Sequence, residues 1–175
     1  MKVAVFRILV VLFGIQHRIT SSRYVIGLSA VVRRAYWKPR LQRLGEKSSI
    51  LRHVVIRMPH LVSIGSRCTI AEFVHIWGGG GVTIGDDVLI ASHVAISSMT
   101  HDKSAEVYAK TSVRIPIVIE DNVWIGAGAI ILPGVRLGEG CIVGAGAVVT
   151  RSVPPKGIVV GVPAQQIDQR DPSLK

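Results

Sequence analysis

Residues 119–149 read IEDNVWIGAGAIILPGVRLGEGCIVGAGAVV, with an aliphatic residue at every sixth place: Ile119, Ile125, Ile131, Leu137, Val143 and Val149. Four places after each stands a second small or medium apolar residue: Val123, Ala129, Val135, Cys141, Ala147 and Val153. A period of six is neither the 3.6 of an amphipathic helix nor the simple alternation of a single strand. It suits a chain that runs a short strand, turns, and runs another. Three such sides close a triangular coil of about 18 residues whose stacked copies bury one aliphatic from each side. Glycines beside the corners, such as Gly126, Gly138 and Gly144, let the backbone turn tightly. The predicted fold is therefore an all-β solenoid, a parallel β-helix.

The same step recurs upstream at Ile64, Ile70 and Ile76 and again at Ile84, Ile90 and Ile96. Cys68 and Cys141 both fall in inward slots, where free cysteine behaves as a small hydrophobe. Two breaks interrupt the period. From Ile76 to Ile84 the step is eight, which places two extra residues near Gly78–Gly81. From Ile96 to Ile119 it is 23, so a hexapeptide ending at His101 is followed by a surplus of 17 residues, Asp102–Val118. Long loops on rigid scaffolds are where function concentrates. Val82 and Ile130 are expected on outward faces, available to a neighbouring subunit.

Composition limits the alternatives. Of 175 residues 49% are hydrophobic and 18% charged, which excludes an acid-rich disordered chain. The formal charge of +10 is carried unevenly: residues 1–47 hold ten Lys and Arg against one acid, 10 − 1 = +9, and the remainder contributes +1. The segment 1–47 reads as helical, ending near Lys38–Pro39, and is expected to cap the open end of the solenoid, attach to an anionic membrane surface, or both. Its apolar run Val3–Ile15 is too short for a spanning helix and carries Arg7. The basic segment has no accompanying nucleic-acid motif, so no nucleic-acid partner is expected. The glycine strings lack the Gly-Lys-Ser/Thr of a P-loop and any strand-to-helix transition. Residues 48–168 form the β-helix domain with its loop at 102–118, and 169–175 a polar tail.

Several segments carry a family resemblance: Val82–Ala91 (VTIGDDVLIA), Thr100–Ser104 (THDKS), Ile119–Val135, Gly144–Thr150 (GAGAVVT) and Gly161–Ala164 (GVPA). Over roughly residues 48–168 the chain resembles the left-handed β-helix, hexapeptide-repeat acyltransferases, closest to the maltose, galactoside, nodulation and colanic-acid O-acetyltransferases. That resemblance implies a left-handed coil and a homotrimer with active sites between subunits. It also implies a coenzyme-A-dependent O-acetyltransferase that moves acetyl from acetyl-CoA to a hydroxyl of a sugar in a surface polysaccharide or lipid-linked precursor. By position His101 matches the family's general base, and Trp124, Ala127, Ala145, Thr150 and Arg151 match its coenzyme contacts. Histidine suits the role because it takes and returns a proton near neutrality. Asp102 or a backbone carbonyl is expected to orient its other ring nitrogen. No metal is expected, and the setting is expected to be cytoplasmic, at most peripheral on the inner face of the membrane.

The chain also departs from the sugar-acetyltransferase pattern. Ala71 and Gly79 stand where family members have an asparagine and an aspartate that touch the sugar, and Gln165 and Asp168 replace basic residues after the GVPA-like turn. Two other readings share the fold. γ-Class carbonic anhydrases hold zinc with three histidines between subunits, but His75 and His93, though 18 residues apart, occupy different places in their hexapeptides. A non-catalytic scaffold is the third reading.

Overall fold

The computed structural model describes residues 23–169. Short parallel strands wind through three faces in strict rotation. The first face is built from Arg43–Leu44, Val62–Ile64, Val82–Ile84, Ile117–Ile119 and Arg136–Leu137. The second takes Ser49–Ile50, Thr69–Ile70, Leu89–Ile90, Trp124–Ile125, Ile142–Val143 and Gly157–Val160. Gln165–Gln169 folds back antiparallel on its last strand. The third comprises Val55–Arg57, His75–Trp77, Ala95–Ser97, Ile130–Ile131 and Val148–Val149. The parallel β-helix expected from the period is the observed fold.

Each predicted inward position is inward. Ile64, Ile70, Ile76, Ile90, Ile96, Ile125, Ile131, Leu137 and Val143 have no solvent exposure, and Cys68 and Cys141 have at most 1%. Val82 is a correction: it is buried, because the strands Val62–Ile64, Val82–Ile84 and Ile117–Ile119 turn both of their end residues inward and only the middle one out. Ile130 does face outward.

The coils are of two lengths. Register partners are 18 residues apart in the later coils (Trp124 with Ile142, Ile130 with Val148) but 20 apart in the earlier ones (Thr69 with Leu89, Ile56 with Ile76). The extra residues lie at the corner between the third and first faces, as a 3₁₀ turn at Pro59–Leu61 and as the glycine run 78–81.

The long excursion starts and ends earlier than its expected limits of 102–118. Met99–Thr100 pairs antiparallel with Val113–Arg114, and Ile117–Ile119 is already back on the first face. Ser98, fully buried, anchors the departure: its hydroxyl donates to the Trp77 carbonyl at 2.7 Å and accepts from the Gly80 N–H at 2.9 Å. The glycines beneath are tightly crossed, by the Met99 side chain at Gly79 and by backbone at Gly80. A Cβ on Gly79 would lie 2.0 Å from Met99 Sδ, and one on Gly80 would lie 2.3 Å from the Ser98 carbonyl.

The helix Arg23–Trp37 contacts the first coil. Arg33 Nε donates to the Ile50 carbonyl at 2.9 Å, and Arg34 donates to the carbonyls of Gly45 at 3.0 Å and Ser48 at 3.3 Å. Arg33 and Arg34 thus fasten the helix to the rim of the first coil, which pairs with no earlier strand among the described residues. Residues 1–22 and 170–175, including the apolar run Val3–Ile15 and most of the polar tail, lie outside the described residues. Among the described residues no helix is long and apolar enough to cross a membrane.

Candidate functional site

His101 follows the strand Met99–Thr100 at the mouth of the excursion. Its Nδ1 lies 2.7 Å from the Tyr108 carbonyl oxygen and 2.6 Å from that of Thr111. Two acceptors on one ring nitrogen require that nitrogen to carry a hydrogen, so Nδ1–H donates and, in the neutral ring, Nε2 holds the lone pair. The loop that supplies these carbonyls is itself tied down: the Thr111 hydroxyl donates to the Tyr108 carbonyl at 3.1 Å and accepts from the Asp102 N–H at 3.2 Å.

Asp102 does not orient the histidine. Its carboxylate accepts from the Ser104 hydroxyl at 2.6 Å and the Ser104 N–H at 2.9 Å, closing a local turn. Those two bonds, the hydroxyl's first, hold its pKa below the usual carboxylate range. Of the two orienting groups expected from sequence, the backbone carbonyl is the one in place.

A cavity of about 440 Å³ opens beside His101, lined by Trp77, Ala95, Ser97, Met99, Thr100, Ser112 and Ile130. Trp77, Ala95, Ser97 and Ile130 are outward residues of the third face, so the excursion and that face together form the walls. Trp77, Met99 and Ser112 were not singled out by the period. The signal available for Trp77 was its position: an outward tryptophan immediately before the glycine run on which the excursion rests.

Four of the five expected coenzyme contacts lie at the corners of the same face. Ala127 and Ala145 stack at the corner where the second face turns into the third, with the Gly146 N–H donating to the Ala127 carbonyl at 2.8 Å. Thr150 and Arg151 follow Val148–Val149 at the opposite corner, the one from which the excursion departs. Register places Thr150 two coils beyond Ser97, roughly 10 Å along the axis at about 4.8 Å per strand. Trp124 is 49% exposed but lies on the second face, beyond the Ala127 corner. One subunit therefore gathers His101, Ala127, Ala145, Thr150 and Arg151 around its third face and presents Trp124 on another.

His75 and His93 do not meet. His75 stacks on Trp77, ring centroids 3.9 Å apart, whereas His93 stacks on Phe73 at 5.0 Å. Among the described residues no group of three His, Cys, Asp or Glu side chains could hold a metal ion.

A hexapeptide solenoid with a histidine held beside a cleft defines the class, and comparison with known proteins agrees. The bacterial transferase hexapeptide (six repeats) family matches residues 116–151. A hexapeptide-repeat-containing acetyltransferase from Vibrio cholerae superposes with a TM-score of 0.78 at 32% identity, over 81% of this chain and 82% of that one. The same protein has been solved in complex with acetyl coenzyme A. The galactoside O-acetyltransferase of Escherichia coli K12 is 41% identical over 99 residues, 51% of this chain and 46% of the relative. A lipopolysaccharide-biosynthesis O-acetyltransferase of the same strain is 36% identical over 114 residues, 59% of this chain and 58% of the relative. The chain thus spans about half the length of these curated relatives. It belongs to the hexapeptide-repeat acetyltransferase family, and its parallel coil is that family's left-handed β-helix.

Proposed function

We propose that the protein transfers acetyl from acetyl-CoA to a hydroxyl of a sugar, with His101 as general base. The observation that carries this reading is the fixed Nδ1–H of His101, which leaves Nε2 as a proton acceptor beside the cleft. Nε2 takes the acceptor's hydroxyl proton as its oxygen attacks the thioester carbonyl. The C–O bond forms, the C–S bond breaks, and the imidazolium returns the proton to the departing thiolate. Relatives named as galactoside and lipopolysaccharide-biosynthesis O-acetyltransferases support a sugar of a surface polysaccharide or its lipid-linked precursor as acceptor. The proposal extends to a trimer, in which Trp124, on a different face from His101, would serve the cleft of a neighbouring subunit. Labelled acetyl-CoA offered with free and lipid-linked sugars tests the transfer. Label in the sugar is the expected result; coenzyme A that fails to raise thermal stability at saturation would contradict it.

Peripheral attachment at the inner face of a membrane is part of the proposal. The helix Arg23–Trp37 ties Arg33 and Arg34 to the first coil while leaving Val31, Val32 and Tyr36 exposed, and Arg40 lies 3.8 Å over the Tyr36 ring. Apolar and aromatic groups beside basic ones suit a headgroup region. Full-length protein should sediment with vesicles containing anionic lipid and come off as salt rises; salt-independent binding, or none, would contradict attachment of this kind.

A further inference from the structure

We infer that Trp77 is the acceptor platform: its indole stacks against the C–H face of a neutral pyranose ring and presents one hydroxyl to His101. The inference deepens the proposed sugar acetyl transfer and rests on it.

Three observations carry it. First, the cleft beside His101 contains no carboxylate. Its lining side chains are Trp77, Met99, Ile130 and Ala95 with the hydroxyls of Ser97, Thr100 and Ser112, and His101 is the one titratable group. Beside Trp77 the chain continues as Gly78–Gly81, which offer no polar side chain. Gly79 cannot take a larger residue without displacing Met99. This subunit's wall of the cleft thus offers a sugar an indole and hydroxyls, and no carboxylate.

Second, the indole is held edge-free for stacking. One of its faces is covered by the His75 ring, nearly parallel at 19° and 3.9 Å between centroids. His75 precedes Trp77 on the same strand, so the opposite indole face looks along the strand toward the corner from which the excursion leaves. That corner carries Gly78–Gly81, with the side chains of Met58 and Met99 over Gly79 and the backbone of the excursion crossing at Gly80. Third, Trp77 remains 37% exposed although its neighbours in register, Arg57 and Ser97, flank it on both sides. A tryptophan braced on one face by His75, partly exposed, and lining the same cleft as His101 is what a ring with one apolar face needs. Pyranoses place their hydroxyls at the rim and leave C–H groups on the face, so stacking buries apolar surface without stranding a hydroxyl.

Steady-state transfer from labelled acetyl-CoA to methyl β-D-galactopyranoside and methyl α-D-glucopyranoside tests this on the full chain. Trp77→Leu keeps apolar bulk and removes the ring; Trp77→Phe keeps a smaller ring. For Leu the expected result is an acceptor KM raised at least about tenfold, with the KM for acetyl-CoA unchanged, and for Phe a recovery of most of the loss. An acceptor KM equal to wild type in Trp77→Leu, or equal losses in Leu and Phe, would overturn the platform while leaving the transfer reading intact. Wild-type protein that binds coenzyme A yet labels neither these pyranosides nor lipid-linked sugars would instead overturn the transfer reading itself.

Discussion

The corner between the second and third faces is built in two ways along one solenoid. In the early coils it carries His53, Phe73 and His93, whose rings stack at 5.0 Å between successive centroids. In the later coils the equivalent places are Gly128 and Gly146. All five have the same left-handed backbone, with φ of 59°, 61°, 62°, 69° and 68°. Turn geometry alone therefore does not demand glycine, since side chains are tolerated three times over at a cost of about 1–2 kcal/mol each. Crowding does not demand it either, because a Cβ on Gly128 or Gly146 would meet nothing within 4 Å. What glycine does in the later coils is leave the edge beside Ala127 and Ala145 bare, where an extended ligand can lie against backbone. The ladder of rings seals the early edge; the later edge is kept open.

In the proposed mechanism chemistry and coenzyme binding fall to different coils, and the two can be broken separately. The largest effect belongs to His101→Ala: turnover should fall by roughly 10²–10⁴, mainly in kcat, with coenzyme affinity retained. Near-full turnover on a verified acceptor would remove His101 from the mechanism. Next come the buried aliphatics, which are alike in both halves even though the corners are not. Ile70→Ala in an early coil and Ile125→Ala in a later one should each cost about 2–5 kcal/mol in denaturant unfolding, both residues being fully buried. Costs that differed systematically between the halves would mean the interior, too, is built in two ways.

The smallest effect is with acid. Arg67 holds the Asp87 carboxyl below its usual range, and the Glu139 N–H with Arg136 does the same for Glu120. A carboxylate whose folded pKa is depressed stabilises the fold above its unfolded value and loses that contribution as pH falls through the folded one. Unfolding midpoints should be flat from neutrality to about pH 5 and decline below about pH 4. Glu120→Gln should shallow that decline, and midpoints unchanged down to about pH 3 would contradict the pairing.

The interior was legible in the sequence because burial in a solenoid repeats: each coil forces an aliphatic into the same slot, so Ile64 through Val149 could be placed by counting. The excursion was legible as an interruption of the count, and His101 by its place at that interruption. Val82 was misplaced because the eight-residue step from Ile76 to Ile84 broke the count: it stands two residues before Ile84, the inward slot that Val88 fills two before Ile90. The 20-residue early coils were legible at the glycine run 78–81 but not at Pro59–Leu61, where the upstream pattern is weak. The carbonyls of Tyr108 and Thr111 that fix His101 are backbone atoms of a loop, and side-chain identity says nothing about where they point. Trp77 was hidden for a related reason: its exposure depends on glycines that matter through what crosses them.

Calorimetric titration of coenzyme A into a matched pair of variants tests the division of the corner most directly. Gly146→Phe extends the ring ladder onto the open edge, and Phe73→Gly removes a ring from the sealed one. Gly146→Phe, confirmed folded by its cooperative unfolding, should lose coenzyme affinity at least about tenfold, or about 1.4 kcal/mol, while Phe73→Gly binds as wild type does. Wild-type affinity in Gly146→Phe, or equal losses in the two, would contradict the claim that the later coils are kept bare to hold the coenzyme.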